Sequence, residues 1–307
     1  MRLLMTGSSG FVGRHMLKYL RDNASRTEIL TPALDITDRP ATEAFIKTSR
    51  PDALLHLAAI AAPGQAAAAP ARAQAVNVQG ALNLAEAVLT HAPECRFLFI
   101  SSAEIYGKAF LNPEPVTEDT PPEPATLYAT TKAEAEEALA ALPGLRLLRL
   151  RPANHTGPGQ PPDFVIPAFA RQIARIEVKQ QEPVLETGNL DACRDFLDVR
   201  DVCAAYGKAL ALPGFAAEEA LNIASGTPQR IGDLLEIMLD MARAEIRLET
   251  DPTRLRPAEI PVTRIDSARA RARLGWAPER SLRETLAGTL AFWRTQVTGR
   301  RREHSGH

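Results

Sequence analysis

Tyr128 and Lys132 stand four residues apart in Tyr128-Ala-Thr-Thr-Lys132, a spacing that places both side chains on one face of a helix. A surface pair on an amphipathic helix has the same spacing. Together, though, a phenol and an ammonium can form an acid/base unit, the cation drawing the tyrosine pKa from about 10 toward working pH. Upstream, Ser101-Ser102-Ala103-Glu104-Ile105-Tyr106-Gly107 follows the apolar run Arg96–Ser101. A hydroxyl there, at the carboxyl end of a strand, can donate to a carbonyl oxygen that gains negative charge during hydride addition. Ser102, Tyr128 and Lys132 are therefore the expected catalytic set, with Glu104 a further candidate.

A second group concerns phosphate. Gly7, Gly10 and Gly13 in Thr6-Gly7-Ser8-Ser9-Gly10-Phe11-Val12-Gly13 fall between a short apolar run and a helical pattern. Glycine permits a sharp turn and lets backbone approach a pyrophosphate, while the following helix start offers N–H groups. The spacing is GxxGxxG, which an ordinary tight turn also satisfies, but its place between strand and helix points to a dinucleotide. No carboxylate ends the second strand at Leu30-Thr31-Pro32, so nothing there repels a 2′-phosphate. NADP(H) is favoured and NAD(H) stays open, with Arg14 or Arg39 as possible 2′-phosphate partners.

The elements that hold these groups alternate. Strands are expected at Arg2–Met5, Glu28–Leu30, Leu34–Ile36, Ala53–Leu57, Arg96–Ser101 and Arg146–Leu150. Helices are expected at Phe11–Arg21, Ala41–Thr48, Ala73–Thr90 and Tyr128–Leu142. Nearly all-apolar strands alternating with helices imply a parallel sheet covered on both faces, an α/β Rossmann-type doubly wound fold. After Arg151 the pattern loosens, with helices at Val165–Ile176, Ile231–Ala244 and Leu282–Thr298 and no regular strands between them. The expected division is a dinucleotide-binding domain over 1–152, with 195–225 returning to it through a strand at Leu221–Ala224. A smaller mixed C-terminal lobe would take 153–194 and 226–298, leaving 299–307 as a flexible tail. Ala66–Ala69 and Pro113–Pro124 follow strands at the catalytic edge and read equally as closing loops or as a helix start and a stiffened loop.

Composition removes other classes. Among 307 residues, 36 Lys+Arg balance 37 Asp+Glu for a net charge of -1, too even for a nucleic-acid-binding surface. The longest apolar stretch, Ala53–Pro70, is broken by His56, Pro63, Gly64 and Gln65 and spans no membrane. Three apolar residues before the glycine cluster are too few for a signal peptide. The 3 Cys lack CxxC spacing and the 6 His are scattered, so reduced thiols in a cytoplasm and no metal site are expected.

With the glycine loop, Ser102, Tyr128 and Lys132 in this order, the sequence resembles the extended short-chain dehydrogenase/reductase family, or NAD-dependent epimerase/dehydratase family, over nearly its whole length. The resemblance extends to His56-Leu57-Ala58-Ala59, similar to the segment after the family's fourth strand, to Asn77 in Asn-Val-Gln-Gly, and to Asp35-Ile36, where the family contacts adenine. It implies cofactor contacts at Phe11, Val12, Asp35, Ile36, Leu57, Ala58, Ala59 and Asn77, and Lys132 on the nicotinamide ribose. It also implies pairing of the second-half helices of the sheet, Ala73–Thr90 and Tyr128–Leu142, into a homodimer.

Three later segments resemble nucleotide-sugar motifs of that family. Arg151-Pro-Ala-Asn154-His155 is similar to a turn whose asparagine meets the sugar diphosphate. Gly188–Val199 resembles the segment whose arginine, here Arg194, neutralises it, a task suited to a guanidinium fork. Leu255-Arg256-Pro257-Ala-Glu259 resembles the nucleotide-end motif of enzymes acting on GDP-mannose derivatives, which makes Arg256 and Glu259 substrate residues.

A GDP-sugar substrate follows, and the resemblance favours reduction of the C4 ketone of GDP-4-dehydro-6-deoxy-D-mannose to GDP-D-rhamnose. A GDP-mannose 4,6-dehydratase is the alternative, because Glu104 remains, although Ser102 replaces the dehydratases' usual threonine and Ala103 brings no polar group. A 4-epimeric, 6-deoxy-talose-forming reductase and a non-catalytic NADP-binding redox sensor are the other readings. The intact Ser102, Tyr128 and Lys132 set speaks against the sensor.

Overall fold

The computed structural model describes residues 1–215, 219–254 and 260–304. In its first half, β1 (Arg2–Thr6) leads through the glycine turn into α1 (Phe11–Asn23), followed by β2 (Glu28–Leu30), α2 (Arg39–Ser49) and β3 (Ala53–His56). Next come α3 (Pro63–Ala68), α4 (Pro70–Gln74), a π-turn at Ala75–Gln79, α5 (Gly80–His91), β4 (Arg96–Ile100), a 3₁₀ segment at Ala103–Leu111, α6 (Leu127–Ala140) and β5 (Arg146–Pro152). The second half holds β6 (Asn154–Thr156), α7 (Val165–Glu177), β7 (Val184–Thr187), β8 (Cys193–Asp198), α8 (Val199–Leu210), β9 (Glu219–Ile223), β10 (Pro228–Arg230) and α9 (Ile231–Asp240). It ends with β11 (Arg247–Thr250), α10 (Ala268–Leu274) and α11 (Leu282–His304).

Six parallel strands form the main sheet in the order β2-β1-β3-β4-β5-β9. Apolar cores cover both faces. Leu3, Met5, Leu98 and Leu148 pack with Met16 of α1 and Val202 of α8, and Leu54, Phe97 and Phe99 pack with Ile46, Leu84 and Leu139 of α2, α5 and α6. Two buried faces explain strands without polar alternation. The order reverses between β1 and β3, which opens a crevice at their carboxyl ends, directly at the glycine turn and the Leu57–Ala59 segment. Beyond the sheet, α7, α9 and α11 bury a separate core around Phe169, Leu234, Met238 and Leu290.

Several expectations need correction. Leu34–Ile36 is a loop and not a strand: Asp35 accepts from Thr37 N at 3.0 Å and Thr37 Oγ1 at 2.7 Å, an Asx turn that competes with pairing. His56–Ala59 consequently follows the third strand, not the fourth. The helix expected over Ala73–Thr90 starts earlier, at Pro70, where Ala69 (φ -138, ψ 68) separates it from α3, and it is loosened by the π-turn. Short strands do occur between the later helices, as a three-stranded sheet β10-β8-β6 and a pair β11-β7. β8 belongs to that small sheet, so the return to the large one is made by α8 and β9. α11 continues to His304, into the stretch expected as a tail, whose residues 305–307 lie outside the described residues.

Candidate active site

Gly7 adopts φ +70, and a Cβ there would lie 2.6 Å from Ala58 N. At Gly13 a Cβ would stand 2.2 Å from the Gly7 carbonyl oxygen. Both glycines are required by the close meeting of turn, helix and β3 loop. Gly10 differs: its Cβ would meet only Gly7 O, at 3.2 Å, and otherwise enter open space. It precedes α1 in extended conformation, and no side chain among the described residues caps that helix. First-turn N–H groups of a helix have no intrahelical acceptor. Phe11, Val12 and Gly13 therefore present unpaired donors and a positive dipole end beside a space that a methyl group at Gly10 would occupy. The chemistry of this cradle fits a pyrophosphate.

The cradle forms one wall of a cavity of about 450 Å³ that also carries Leu57, Ala59, Ser102, Glu104, Tyr128, Lys132 and Asn154. β4 ends in this cavity, and its next turn is capped by Ser102, whose Oγ accepts from Glu104 N at 3.1 Å. α6 starts at the opposite side, capped by Thr126 accepting from Ala129 N at 3.2 Å, so Tyr128 sits in its first turn. The Ser102 hydroxyl hydrogen-bonds the Tyr128 oxygen. Two segments 26 positions apart thus meet at one phenol.

The electrostatics differ from the expectation. Burial, at 8 % exposure, and the nearby Glu104 carboxylate push the Tyr128 pKa above its usual value, and only the Ser102 hydrogen bond opposes them. Lys132 does not lower it here. Its Nζ donates to the Ile100 carbonyl at 2.7 Å and lies 4.7 Å from the Phe99 ring centroid. Burial also depresses Lys132 to about 8, against the partial support of Glu136. Desolvation outweighs pairing for both groups. Tyr128 is a protonated phenol at neutral pH, the form that gives a proton away.

The chain as a whole has counterparts among known proteins. The chain matches the family described as "GDP-mannose 4,6 dehydratase" over residues 20–289. It is 38% identical over 302 residues to a GDP-6-deoxy-D-mannose reductase of Pseudomonas aeruginosa, covering 96% of this chain and 98% of that protein. The structure of RMD from Pseudomonas aeruginosa complexed with NADPH superposes with a TM-score of 0.87 at 36% identity, covering 96% of this chain and 99% of that one. A GDP-6-deoxy-D-talose 4-dehydrogenase of Aggregatibacter actinomycetemcomitans is 24% identical over 267 residues, 85% of this chain and 87% of that protein.

The chain belongs to the extended short-chain dehydrogenase/reductase family.

Not every residue expected from this dehydrogenase/reductase pattern reaches the cavity. Asp35, Ile36, Ala58 and Asn77 lie off its wall. Asp35 is tied to Thr37, and Ile36 is buried where a Cβ on Gly80 would meet its Cδ1 at 2.6 Å. Ala58 N is held by Thr6 Oγ1 at 3.3 Å. Asn77 is buried and engages the Ile60 backbone and Thr131. Arg194 also stays off the wall, with Nη1 donating to the Cys193 carbonyl at 2.9 Å. Arg256 and Glu259 lie outside the described residues.

Neither arginine weighed for a 2′-phosphate is idle: Arg14 donates to Gly159 O at 3.1 Å and Arg39 pairs with Glu86 at 2.9 Å. Of the two candidate closing loops, Gln65 beside the Ala66–Ala69 run lines the cavity. The Pro113–Pro124 loop is pinned instead, with Val116 N bonded to Arg264 O at 2.9 Å and Glu118 accepting from Asn222 N at 2.8 Å.

Gln160, Asp163, Phe164, Tyr206, Thr263 and Ile265 line the cavity although sequence reasoning passed them over. Asp163 and Phe164 carried a signal, standing just before an amphipathic helix after a glycine-rich turn. Tyr206 reads as an ordinary apolar position of α8, and nothing local marks Thr263 or Ile265. Among the described residues no cluster of His, Cys, Asp or Glu is placed to hold a metal ion, and no helix is long and apolar enough to cross a membrane.

Proposed function

We propose that this oxidoreductase reduces the C4 ketone of GDP-4-dehydro-6-deoxy-D-mannose to GDP-D-rhamnose. The observation that carries the reading is that Ser102, Tyr128 and Lys132 share the wall of the cavity that begins at the glycine cradle. NADPH is the favoured cofactor, NADH the alternative, and when bound it supplies the hydride that C4 accepts. The N–H groups of Phe11, Val12 and Gly13 hold the pyrophosphate, with Gly10 leaving it room. Ser102 donates to the ketone oxygen, and Tyr128 passes its proton to that oxygen as the C=O π bond opens to an alcohol. Solvent then reprotonates the phenolate, with the Lys132 charge at its side. Asn154 lines the cavity and is proposed, with Arg194, Arg256 and Glu259, for the diphosphate and nucleoside. The likeness to a GDP-6-deoxy-D-mannose reductase over 96% of the chain supports this substrate.

Glu104 favours a second reading. A carboxylate on the cavity wall can remove a C5 proton, and the matching family is described as a GDP-mannose 4,6-dehydratase. Elimination also needs an acid for the C6 hydroxyl, and Ala103 offers none. Product analysis by NMR decides. GDP-mannose alone should persist, and the 4-keto sugar with NADPH or NADH should give GDP-D-rhamnose. Consumption of GDP-mannose without added reductant overturns the reductase reading, and the opposite C4 configuration makes the enzyme a talose-forming reductase.

A cytoplasmic homodimer pairing through α5 and α6 belongs to the same proposal. Its free cysteines, Cys95, Cys193 and Cys203, suit a reducing compartment. Sedimentation as a 33.3 kDa monomer would remove the dimer.

A further inference from the structure

Tyr206 lies on α8, far in sequence from the catalytic set, and its side chain is 0% exposed. Its ring is part of the core under the main sheet, packed among Met5, Leu98, Leu150 and Ile223. Its hydroxyl is buried as well. It has no hydrogen-bond partner among the described residues, and the residue contributes to the cavity wall together with Gly13, Ile100 and Pro152. The Cys203 thiol and, after it, the Tyr128 phenol are near enough to act on it electrostatically.

A buried hydroxyl without a partner is unfavourable, and buried polar groups in folded proteins are almost always paired. Phenylalanine would fill the same volume without that cost. The expense is offset if the missing partner arrives with a ligand. The position narrows which part of the ligand this is. The cavity runs from the glycine cradle to Ser102, Tyr128 and Lys132, whereas Asp35 and Ile36, on the side of β2, lie off its wall. Tyr206 shares this wall with Ile100, Pro152, Ser102 and Tyr128, on the side of the reactive half of a bound dinucleotide.

We infer that the Tyr206 hydroxyl hydrogen-bonds the nicotinamide half of the cofactor and helps set its position against Tyr128. This inference rests on the reading of the cavity as a dinucleotide site. Tyr206 acts here as a positioning residue: it moves no proton in the reaction, and its contact is with the half of the cofactor that carries the reactive ring.

The test uses purified Tyr206→Phe, with binding titrations of NADPH and of 2′,5′-ADP, which lacks the nicotinamide half, and melting curves with and without NADPH. Loss of one neutral hydrogen bond should weaken NADPH about five- to ten-fold and leave 2′,5′-ADP unchanged. The ligand-free melting temperature should not fall, because no protein hydrogen bond is lost, while the NADPH-induced rise in melting temperature should shrink. NADPH affinity equal to wild type overturns the inference. So does equal weakening of NADPH and 2′,5′-ADP, or a lower ligand-free melting temperature, either of which makes the hydroxyl structural. If the wild-type protein binds no NADPH, the dinucleotide reading falls and the inference falls with it, an outcome distinct from failure of the variant alone.

Discussion

Asn77 Nδ2 donates to Thr131 Oγ1 at 2.9 Å, and Thr131 Oγ1 in turn donates to the Tyr128 carbonyl at 2.8 Å. The same amide accepts from Ile60 N at 2.8 Å and donates to Ile60 O at 3.2 Å. One buried side chain therefore clamps the segment after β3 to the first turn of α6. The π-turn Ala75–Gln79 widens the helix at this residue, a frequent device at functional sites.

Asn77→Ala should strand the Ile60 backbone groups and destabilise the protein by about 2–3 kcal/mol in urea unfolding. Turnover should fall more than cofactor affinity, since Tyr128 loses its support while the glycine cradle is untouched. Wild-type stability in this variant would show that the clamp is dispensable.

Gly10→Ala and Gly13→Ala separate folding from binding. At Gly13 a Cβ would overlap the Gly7 carbonyl and the Ser8 backbone, at 2.2 and 2.7 Å, so that variant should be poorly folded. Gly10→Ala faces one contact at 3.2 Å and should melt near wild type, yet bind NADPH about ten-fold or more weakly because its methyl group enters the phosphate cradle. Fluorescence titration beside a melting curve measures both. Unchanged NADPH affinity in Gly10→Ala would place the pyrophosphate elsewhere.

Tyr128→Phe should reduce ketone reduction about 1,000-fold, within the range of a lost general acid, with NADPH affinity nearly unchanged. Burial and Glu104 hold the phenol protonated, so wild-type reduction should show no loss at mildly alkaline pH attributable to Tyr128. Near-wild-type turnover of the variant would remove Tyr128 from the chemistry.

Lys132 links stability to pH. Its pKa is depressed from 10.5 to about 8 in the folded protein, so between these values the unfolded chain binds the additional proton. Stability of the ligand-free wild type relative to Lys132→Met should therefore rise with pH across that window, by at most about 3 kcal/mol, with the benefit complete above 10.5 and lost as pH falls through 8. Urea unfolding of both proteins at pH 7 and pH 10 reads the difference directly. A gap that does not change with pH would mean that burial leaves the ammonium's titration unaltered.

Most of what the sequence reveals about the site is local chemistry. Gly7, Gly10 and Gly13 declare a turn because spacing and neighbouring hydropathy suffice to place them between strand and helix. Tyr128 and Lys132 share a face by helical geometry alone. Asn77 was expected at the cofactor, and the fold instead makes it a clamp, because the π-turn and Ile60 set what its amide reaches. Leu34–Ile36 has an apolar pattern suited to a strand, but the Asp35 side chain bonds to Thr37 before any neighbouring strand can pair.

Strand–helix alternation and the glycine spacing pointed by themselves to a doubly wound fold with a dinucleotide turn, since both rest on local contacts, while the enzyme class rested on the family resemblance carried by Ser102, Tyr128 and Lys132 in order. Tertiary structure decided the direction in which the Tyr128 and Lys132 pKa values move, upward for the phenol and downward for the ammonium, which follows from burial and cannot be read from neighbours in the chain. It also decided that Tyr206, Gln160 and Ile265 share one cavity. Their meeting depends on how α8, the turn after β6 and the segment before α10 fold back over the carboxyl edge of the sheet, and sequence separation gives no measure of that approach.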